Sequence, residues 1–301
     1  MSSPSFDEWI ESHCFTHSEL EDYLLCPFRF YASTYLKVKP PQISGPELTP
    51  LEIGSILHAV LEGTFKKCLK KREELLPLLA HELKKVTAER TDLIPVLIEH
   101  QRIRMERALF HFFEKEIEEK KERPHSSLKP SYFEWRFESL SIPDGTNNPI
   151  KIKGRIDRID IDPNRKRFLV IDYKTGSQKI TGNQIRKGQS LQLPLYIMAV
   201  KQLLLPDHEP IGGLYYHLSD LTCDKGIVHA DRLPENLEIH PRSSSLVPSA
   251  EWEALFKTAN GNVVSIVQEI RREHFASKPE PCEPWCPYRD ICLLRSHRGL
   301  R

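Results

Sequence analysis

Apolar and polar positions alternate with a period of two in some stretches of the chain and with a helical period in others. Residues 168–171, Phe-Leu-Val-Ile, fit neither pattern, because they are apolar on both parities. Such a strand is covered on both faces, so the pattern predicts a central strand from Arg167 to Lys174. The run Ile150 to Ile161 predicts its partner, joined across Asp162-Pro163-Asn164. Asp and Asn bond their own backbone there and Pro presets φ, which is turn chemistry. Phe133, Trp135 and Phe137 alternate within 131–140 and predict a third strand, paired with 150–161 across Pro143-Asp144-Gly145. Residues 211–219 predict a further strand, and 222–248 an irregular segment with short strands at most.

Helical spacing occupies most of the rest. Residues 16–36 predict a helix that starts at a Thr or Ser cap, carries Leu20, Tyr23, Leu24 and Phe28 on one face, and breaks at Cys26-Pro27. A loop over 37–50 leads to a helix from Glu52, with Ile53, Ile56, Leu57, Val60, Leu61 and Phe65 as its apolar face and His58 at the edge. Residues 73–123 predict two or three helices with a solvated face. A helix near Ser190 has Pro194 in its first turn, and Gln192 and Tyr196, four apart, share one side. The last helix, over 251–275, has a weak point at Gly261. The sum is α/β: a mixed central sheet flanked by helices, with a helical N-terminal region and a Cys-rich C-terminal segment. One domain over 1–301 is expected, with a helix and loop over 1–50, helices over 51–125, the core over 130–220, an irregular segment and helix over 221–280, and the cysteine segment over 281–301.

Charge changes this picture locally. The chain of 301 residues has a net charge of +1, so the whole carries no electrostatic footprint for a polyanion. Between Lys151 and Lys187, however, eleven Lys and Arg face four Asp, a surplus of seven. A basic rim of that kind suits a polyanionic substrate as well as plain solvation. The first residues lack the basic start and apolar stretch of a signal peptide, and no apolar run reaches membrane-spanning length, so a cytoplasmic location is expected. Seven cysteines in such a setting are thiols or ligands rather than a disulfide framework.

The chemistry gathers at the end of the central strand. Asp172 and Lys174 lie two apart and point to one face, within reach of Asp157 on the neighbouring strand. Buried carboxylates cost several kcal/mol unless paired, roughly, and a divalent cation with hard oxygen ligands removes that cost. Mg²⁺ or Mn²⁺ fits such a set. Taken alone, Asp-x-Lys describes a surface ion pair equally well. At the C-terminus Cys282, Cys286 and Cys292 crowd into eleven residues, a ligand pattern one thiolate short of a closed iron–sulfur or zinc site. Cys26 is the best fourth candidate, and Cys14, Cys68 and Cys223 read as ordinary free thiols.

With these pieces together the sequence resembles the PD-(D/E)XK nuclease superfamily, and within it the RecB/AddB-type nuclease domain that carries an iron–sulfur cluster. The resemblance covers nearly the whole chain. It rests on Leu20, Tyr23, Cys26, Pro27 and Arg29-Phe30, then Gly54 and His58, then Gly154, Asp157, Arg158 and Asp160. It continues with Asp172-Tyr173-Lys174-Thr175-Gly176, with Gln192 and Tyr196, and with the cysteine triplet. The triplet departs from the common spacing by one residue between Cys282 and Cys286.

The resemblance implies a restriction-endonuclease-like core and metal-dependent hydrolysis of DNA, as an exonuclease on single-stranded ends, in repair or recombination. It implies His58, Asp157, Asp172 and the carbonyl of Tyr173 as ligands to Mg²⁺ or Mn²⁺, and Lys174 as the group that orients water. Gln192 and Tyr196 would contact the DNA backbone or support the site. Cys26, Cys282, Cys286 and Cys292 would hold a structural 4Fe–4S cluster, with zinc the alternative. No Walker-type Gly-x-x-x-x-Gly-Lys-Ser/Thr is present, so ATP-driven unwinding would need a helicase partner. The competing expectations are a non-catalytic DNA-binding or scaffold component of a helicase–nuclease complex, a CRISPR-associated nuclease, and a zinc-bound nucleic-acid-binding protein.

Overall fold

The structure is a computed structural model that describes residues 5–39, 45–67, 71–88, 90–122, 127–176, 179–234, 237, 239–277 and 286–292. Cys68 and Cys282 lie outside the described residues. Its centre is a mixed sheet of seven strands. In chain order these are β1 (Cys14–Phe15), β2 (Lys129–Ile142), β3 (Ile150–Asp162), β4 (Arg167–Lys174), β5 (Glu209–His217), β6 (Thr222–His229) and β7 (Leu246–Val247). β2, β3 and β4 run antiparallel in sequence, β4 pairs parallel with β5, and β5 pairs antiparallel with β6. β2 occupies one edge of β3, so β1 and β4 share the other: β1 at Lys151 and Ile152, β4 from Arg158 to Asp162.

The central strand behaves as its composition predicts. Phe168 and Val170 enter one core, and Leu169, Ile171 and Tyr173 enter the other. The first core is closed by α2 (His17–Leu25), α8 (Gln192–Ala199) and α9 (Ser249–Arg271), following the short α1 (Phe6–Ser12). The second is closed by α4 (Pro50–Lys66), α5 (Leu75–Thr87) and α6 (Pro95–Glu122). Each fully buried large side chain contributes ~1.5–3 kcal/mol relative to exposure, which is why β4 is apolar throughout Phe168–Ile171, between Arg167 at its start and Asp172.

Local signals set the helix ends. Thr16 and Thr49 cap α2 and α4 in reciprocal boxes with Glu19 and Glu52, and Pro50 takes the first helical position of α4. α2 stops at Cys26, and Pro27 starts the single turn α3 (Pro27–Phe30). This restart shifts the apolar phase: Phe30 is buried rather than Phe28. Two other expectations are corrected. Residues 222–229 form an eight-residue strand, β6, in the segment expected to be irregular with possible short strands. Its Asp224 and Lys225 hide the pattern, and Gly226 at φ 143° sits where an added Cβ would meet the carbonyl oxygen of Gly213 at 2.2 Å. α9 runs unbroken through Gly261, because propensity is weaker than the packing of Trp252, Leu255, Ala259, Val263 and Ile270. Among the described residues no helix is long and apolar enough to cross a membrane. The short α7 (Gly182–Arg186) lies between β4 and α8.

The β2–β3 connection is tied to α9. Asp144 accepts the Thr146 N–H (2.9 Å) and hydroxyl (2.6 Å) and pairs with Arg271. Burial pushes its carboxyl up, but Thr146 and Arg271 outweigh burial and hold it at about 2, below its ordinary 3.8. A depressed carboxylate stabilises the fold above its unfolded value and loses that contribution as pH falls through the folded one. Asp144→Asn should therefore cost about 2 kcal/mol at neutral pH by denaturant unfolding. The difference from the parent should shrink between pH 4 and pH 2, and an undiminished difference at pH 2 would assign the effect to something other than the charge.

Candidate active site at the parting of two strands

β3 and β4 stay paired from Asp162↔Arg167 to Arg158↔Ile171, and there the ladder ends. β4 continues, held on its other side by β5 as far as Lys174↔His217. In the opening, Asp157 Oδ2 accepts the backbone N–H of Tyr173 at 2.7 Å. A side chain thus replaces the backbone acceptor that the next rung would supply. The other oxygen, Oδ1, stands 3.2 Å from His58 Nδ1, and His58 Nε2 lies 3.2 Å from the Tyr173 carbonyl oxygen. α4 delivers His58 here because its apolar side, including Leu57 and Leu61, packs on the sheet.

A third group joins them that sequence reasoning missed. Glu134 Oε1 is 3.5 Å from His58 Nδ1, and His58, Glu134 and Asp157 present ligand atoms within 4.8 Å of one another. Glu134 lies between the pairs Phe133↔Arg158 and Trp135↔Ile156, and so opposite Asp157. Its backbone is left-handed, with φ 48°, which is strained for a residue with a Cβ. In the sequence it reads as the solvent side of an alternating strand.

Asp172 and Lys174 share a face, as period two requires. Lys174 Nζ is 2.7 Å from Asp172 Oδ2 and donates to Gln192 Oε1 at 2.9 Å. Gln192 Nε2 donates to Asp172 Oδ1 at 2.6 Å, closing a triangle. The Lys174 ammonium also lies 5.0 Å from the Tyr215 ring centroid. Burial raises the Asp172 carboxyl, the Asp157 charge adds to that, and Lys174 opposes both. Burial lowers the His58 imidazole, but Asp157 and Glu134 outweigh it and raise the group to about 10.

Gln192 is aimed by its helix, and α8 has no side-chain cap of its own at Leu191. Glu21 of α2 supplies one: Oε1 accepts the Leu191 N–H at 2.7 Å and the Ser190 hydroxyl at 3.1 Å. Tyr196 is buried against Phe137 and His17 and supports the site rather than facing solvent. Gly154 makes room for this, since a Cβ there would meet Phe137 at 2.7 Å and Tyr196 at 3.1 Å. Arg158 and Asp160 form a buried bidentate pair (2.6 and 2.8 Å), extended to Glu116 at 3.0 Å, and so act behind the site.

The donor set fits a divalent cation. His58 Nδ1, Glu134 Oε2 and Asp172 Oδ2 are buried and have no hydrogen bond of ordinary geometry. The carboxylates and the Tyr173 carbonyl are hard oxygen donors, and the imidazole adds a nitrogen donor that suits transition metals. Elsewhere, Cys26, Cys286 and Cys292 are partly exposed free thiols. Tyr288, between the last two, is buried and donates to the Val38 carbonyl at 3.2 Å, which brings this segment against the chain that follows the helical turn Tyr31–Tyr35.

The family model of the PD-(D/E)XK nuclease superfamily matches residues 14–293. The chain is similar to a protein of Carboxydothermus hydrogenoformans named as a subunit of an ATP-dependent helicase/deoxyribonuclease, 25% identical over 96% of this chain and 32% of the relative. The protein of the same name from Thermoanaerobacter sp. is 25% identical over 86% of the chain and 24% of its own length, and that of Moorella thermoacetica is 24% identical over 66% and 19%. The chain thus spans about a third or less of the relatives it matches. On the family match over most of its length, the chain belongs to the PD-(D/E)XK nuclease superfamily.

Proposed function

We propose that the chain is a metal-dependent deoxyribonuclease that hydrolyses phosphodiester bonds at single-stranded ends. The observation that carries this reading is the Asp172–Gln192–Lys174 triangle beside the His58–Glu134–Asp157 group. His58, Glu134 and Asp157 would hold Mg²⁺ or Mn²⁺, with Asp172 the adjacent carboxylate and the Tyr173 carbonyl a further oxygen donor. The cation supplies Lewis-acid charge beside the phosphoryl oxygens. Lys174 has three N–H donors. Gln192 accepts one and Asp172 is ion-paired with the ammonium, which leaves donor capacity to orient the attacking water or to steady the charge that grows on phosphorus-bound oxygen. Gln192 keeps the ammonium from collapsing wholly onto Asp172. Tyr196 and Tyr215 shield this triangle, which strengthens its electrostatics.

The relatives, named as helicase/deoxyribonuclease subunits, support a place in DNA repair beside a partner that supplies the ATP-driven motor. Cys26, Cys282, Cys286 and Cys292 would hold a 4Fe–4S cluster as a staple between α2 and the C-terminal segment. Zinc is the alternative for the same thiolates.

Three outcomes are expected. Asp172→Ala and Lys174→Ala should each lower degradation of a labelled single strand by ~10²-fold or more in Mg²⁺ or Mn²⁺, while the strand still binds; parent-like degradation by both would end the nuclease reading. Glu134→Gln should cut the rise in Tm that Mn²⁺ gives the parent, through a ~10-fold or greater loss of affinity. An equal rise in both proteins would remove Glu134 from the ligand set. Anaerobically purified protein should show a broad band near ~400 nm with about four irons per chain, lost in Cys26→Ala; a colourless protein with about one zinc would assign the thiolates to zinc.

A further inference from the structure

The eleven cations between Lys151 and Lys187 do not all face one way. Arg158 is spent inside on Asp160 and Glu116, and Lys174 on Asp172 and Gln192. Lys179 pairs with Asp220, and Arg186 donates to the carbonyls of Ser244 and Leu246. Arg165, Lys166 and Arg167 sit at the β3–β4 turn, at the end of β3 away from Ile150. A row of three stays on β3 itself: Lys151, Lys153 and Arg155.

These three alternate with Ile152 and Gly154. Ile150, Ile152 and Ile156 are buried in the core closed by α8 and α9, so the odd-numbered side chains leave from the opposite face. Lys151 and Arg155 are exposed there and Lys153 is half-buried. Arg136 of β2 is exposed and in register with Arg155. Like charges directly opposite on neighbouring strands destabilise a sheet, and an anion between them reverses that cost. Among the described residues Lys151, Lys153 and Arg136 have no ion pair. Glu138, in the β2 bulge, and Glu19, which pairs with His13, act on Cys14 together with Lys151 and Lys153, and Glu134 takes Arg155, so the four cations outnumber the carboxylates beside them by one.

The row ends at the active site. Arg155 Nε is 2.8 Å from Glu134 Oε2, and Glu134 belongs to the group with His58 and Asp157. Same-face residues on a strand are ~6.5–7 Å apart, close to the repeat of successive phosphates in an extended single strand. We propose that this open strip of β2 and β3 is a track for the phosphodiester backbone of a single nucleic-acid strand. Lys151, Lys153, Arg155 and Arg136 each meet a phosphate, and Arg155 hands the strand to the site. The direction of travel rests on the nuclease reading, whereas binding does not require cleavage.

The test measures fluorescence anisotropy of an oligothymidylate of roughly 20 nucleotides, without divalent cation, from ~50 to ~200 mM salt. Parent is compared with the double variants Lys151→Ala/Lys153→Ala and Arg165→Ala/Lys166→Ala, the second removing the same charge from the exposed β3–β4 turn. Circular dichroism melts establish that each variant is folded. The Lys151/Lys153 variant should bind ~10-fold more weakly, with the slope of log K against log salt flatter by ~1.4, at 0.7 for each lost single-strand contact. The turn variant should keep the parent's slope. An unchanged slope in the first variant, or an equal loss in both, overturns the track. If the parent binds with the expected contrast but degrades no strand in Mg²⁺ or Mn²⁺, the nuclease reading falls and the track stands. If the parent degrades strands and the contrast is missing, the track falls and the nuclease reading stands.

Discussion

The site depends on one substitution of partners: the Asp157 carboxylate accepts the Tyr173 N–H that a backbone carbonyl of β3 would otherwise take. That bond lets β4 run three residues past the end of its ladder with β3 while staying in the sheet. It also fixes Asp157 so that the second oxygen faces His58, and it leaves the Tyr173 carbonyl for the other ring nitrogen. A buried carboxylate left unpaired costs several kcal/mol, roughly. Here a backbone donor and an imidazolium offset that cost, and the same bonds hold the opening between the strands. The geometry of the sheet and that of the His58–Asp157 group are therefore one arrangement, set on rigid elements.

Gln192 extends this arrangement to the helices. It stands between Asp172 and Lys174, and its own position is set by Glu21 at the start of α8. Glu21 lies on α2, the helix that Cys26 ends. Tyr288, in the cysteine segment, packs against the chain just beyond α3. α2 thus reaches the site through Glu21, while the charge of the neighbouring Asp22 acts on Tyr288. A staple at Cys26 would restrain the same element that orients Gln192, so loosening it would be felt at Lys174 without any direct contact between them.

How much of this was legible follows from which patterns the physics leaves in a sequence. β4 was plain because both of its parities are apolar, and Asp172 and Lys174 were plain because they interrupt that run. His58, Asp157, Gln192 and Tyr196 were legible as motif spacings, and the structure brings them around one opening. Glu134 was not, for two reasons. A Glu between Phe133 and Trp135 looks solvated, and the register could not be counted from the turn. Counted back from Ile142↔Ile150 without interruption, Glu134 falls opposite Arg158; the bulge between Phe137 and Leu140 moves it one place, opposite Asp157. Residues 222–229 were hidden because β6 carries charges and a glycine at positions where backbone approach, not side-chain burial, decides the pairing.

The formal charges at the opening pair off. His58, Lys174 and Arg155 face Glu134, Asp157 and Asp172, each cation within 4 Å of a carboxylate. With its pKa raised to about 10, His58 carries a proton at neutral pH where a metal ligand must be neutral. A divalent cation held by this group would exchange that proton for two charges. Asp157 sits on a strand paired with β2, Asp172 on one paired with β5, and Gln192 on a capped helix, so the backbone around the opening is fixed by its own hydrogen bonds.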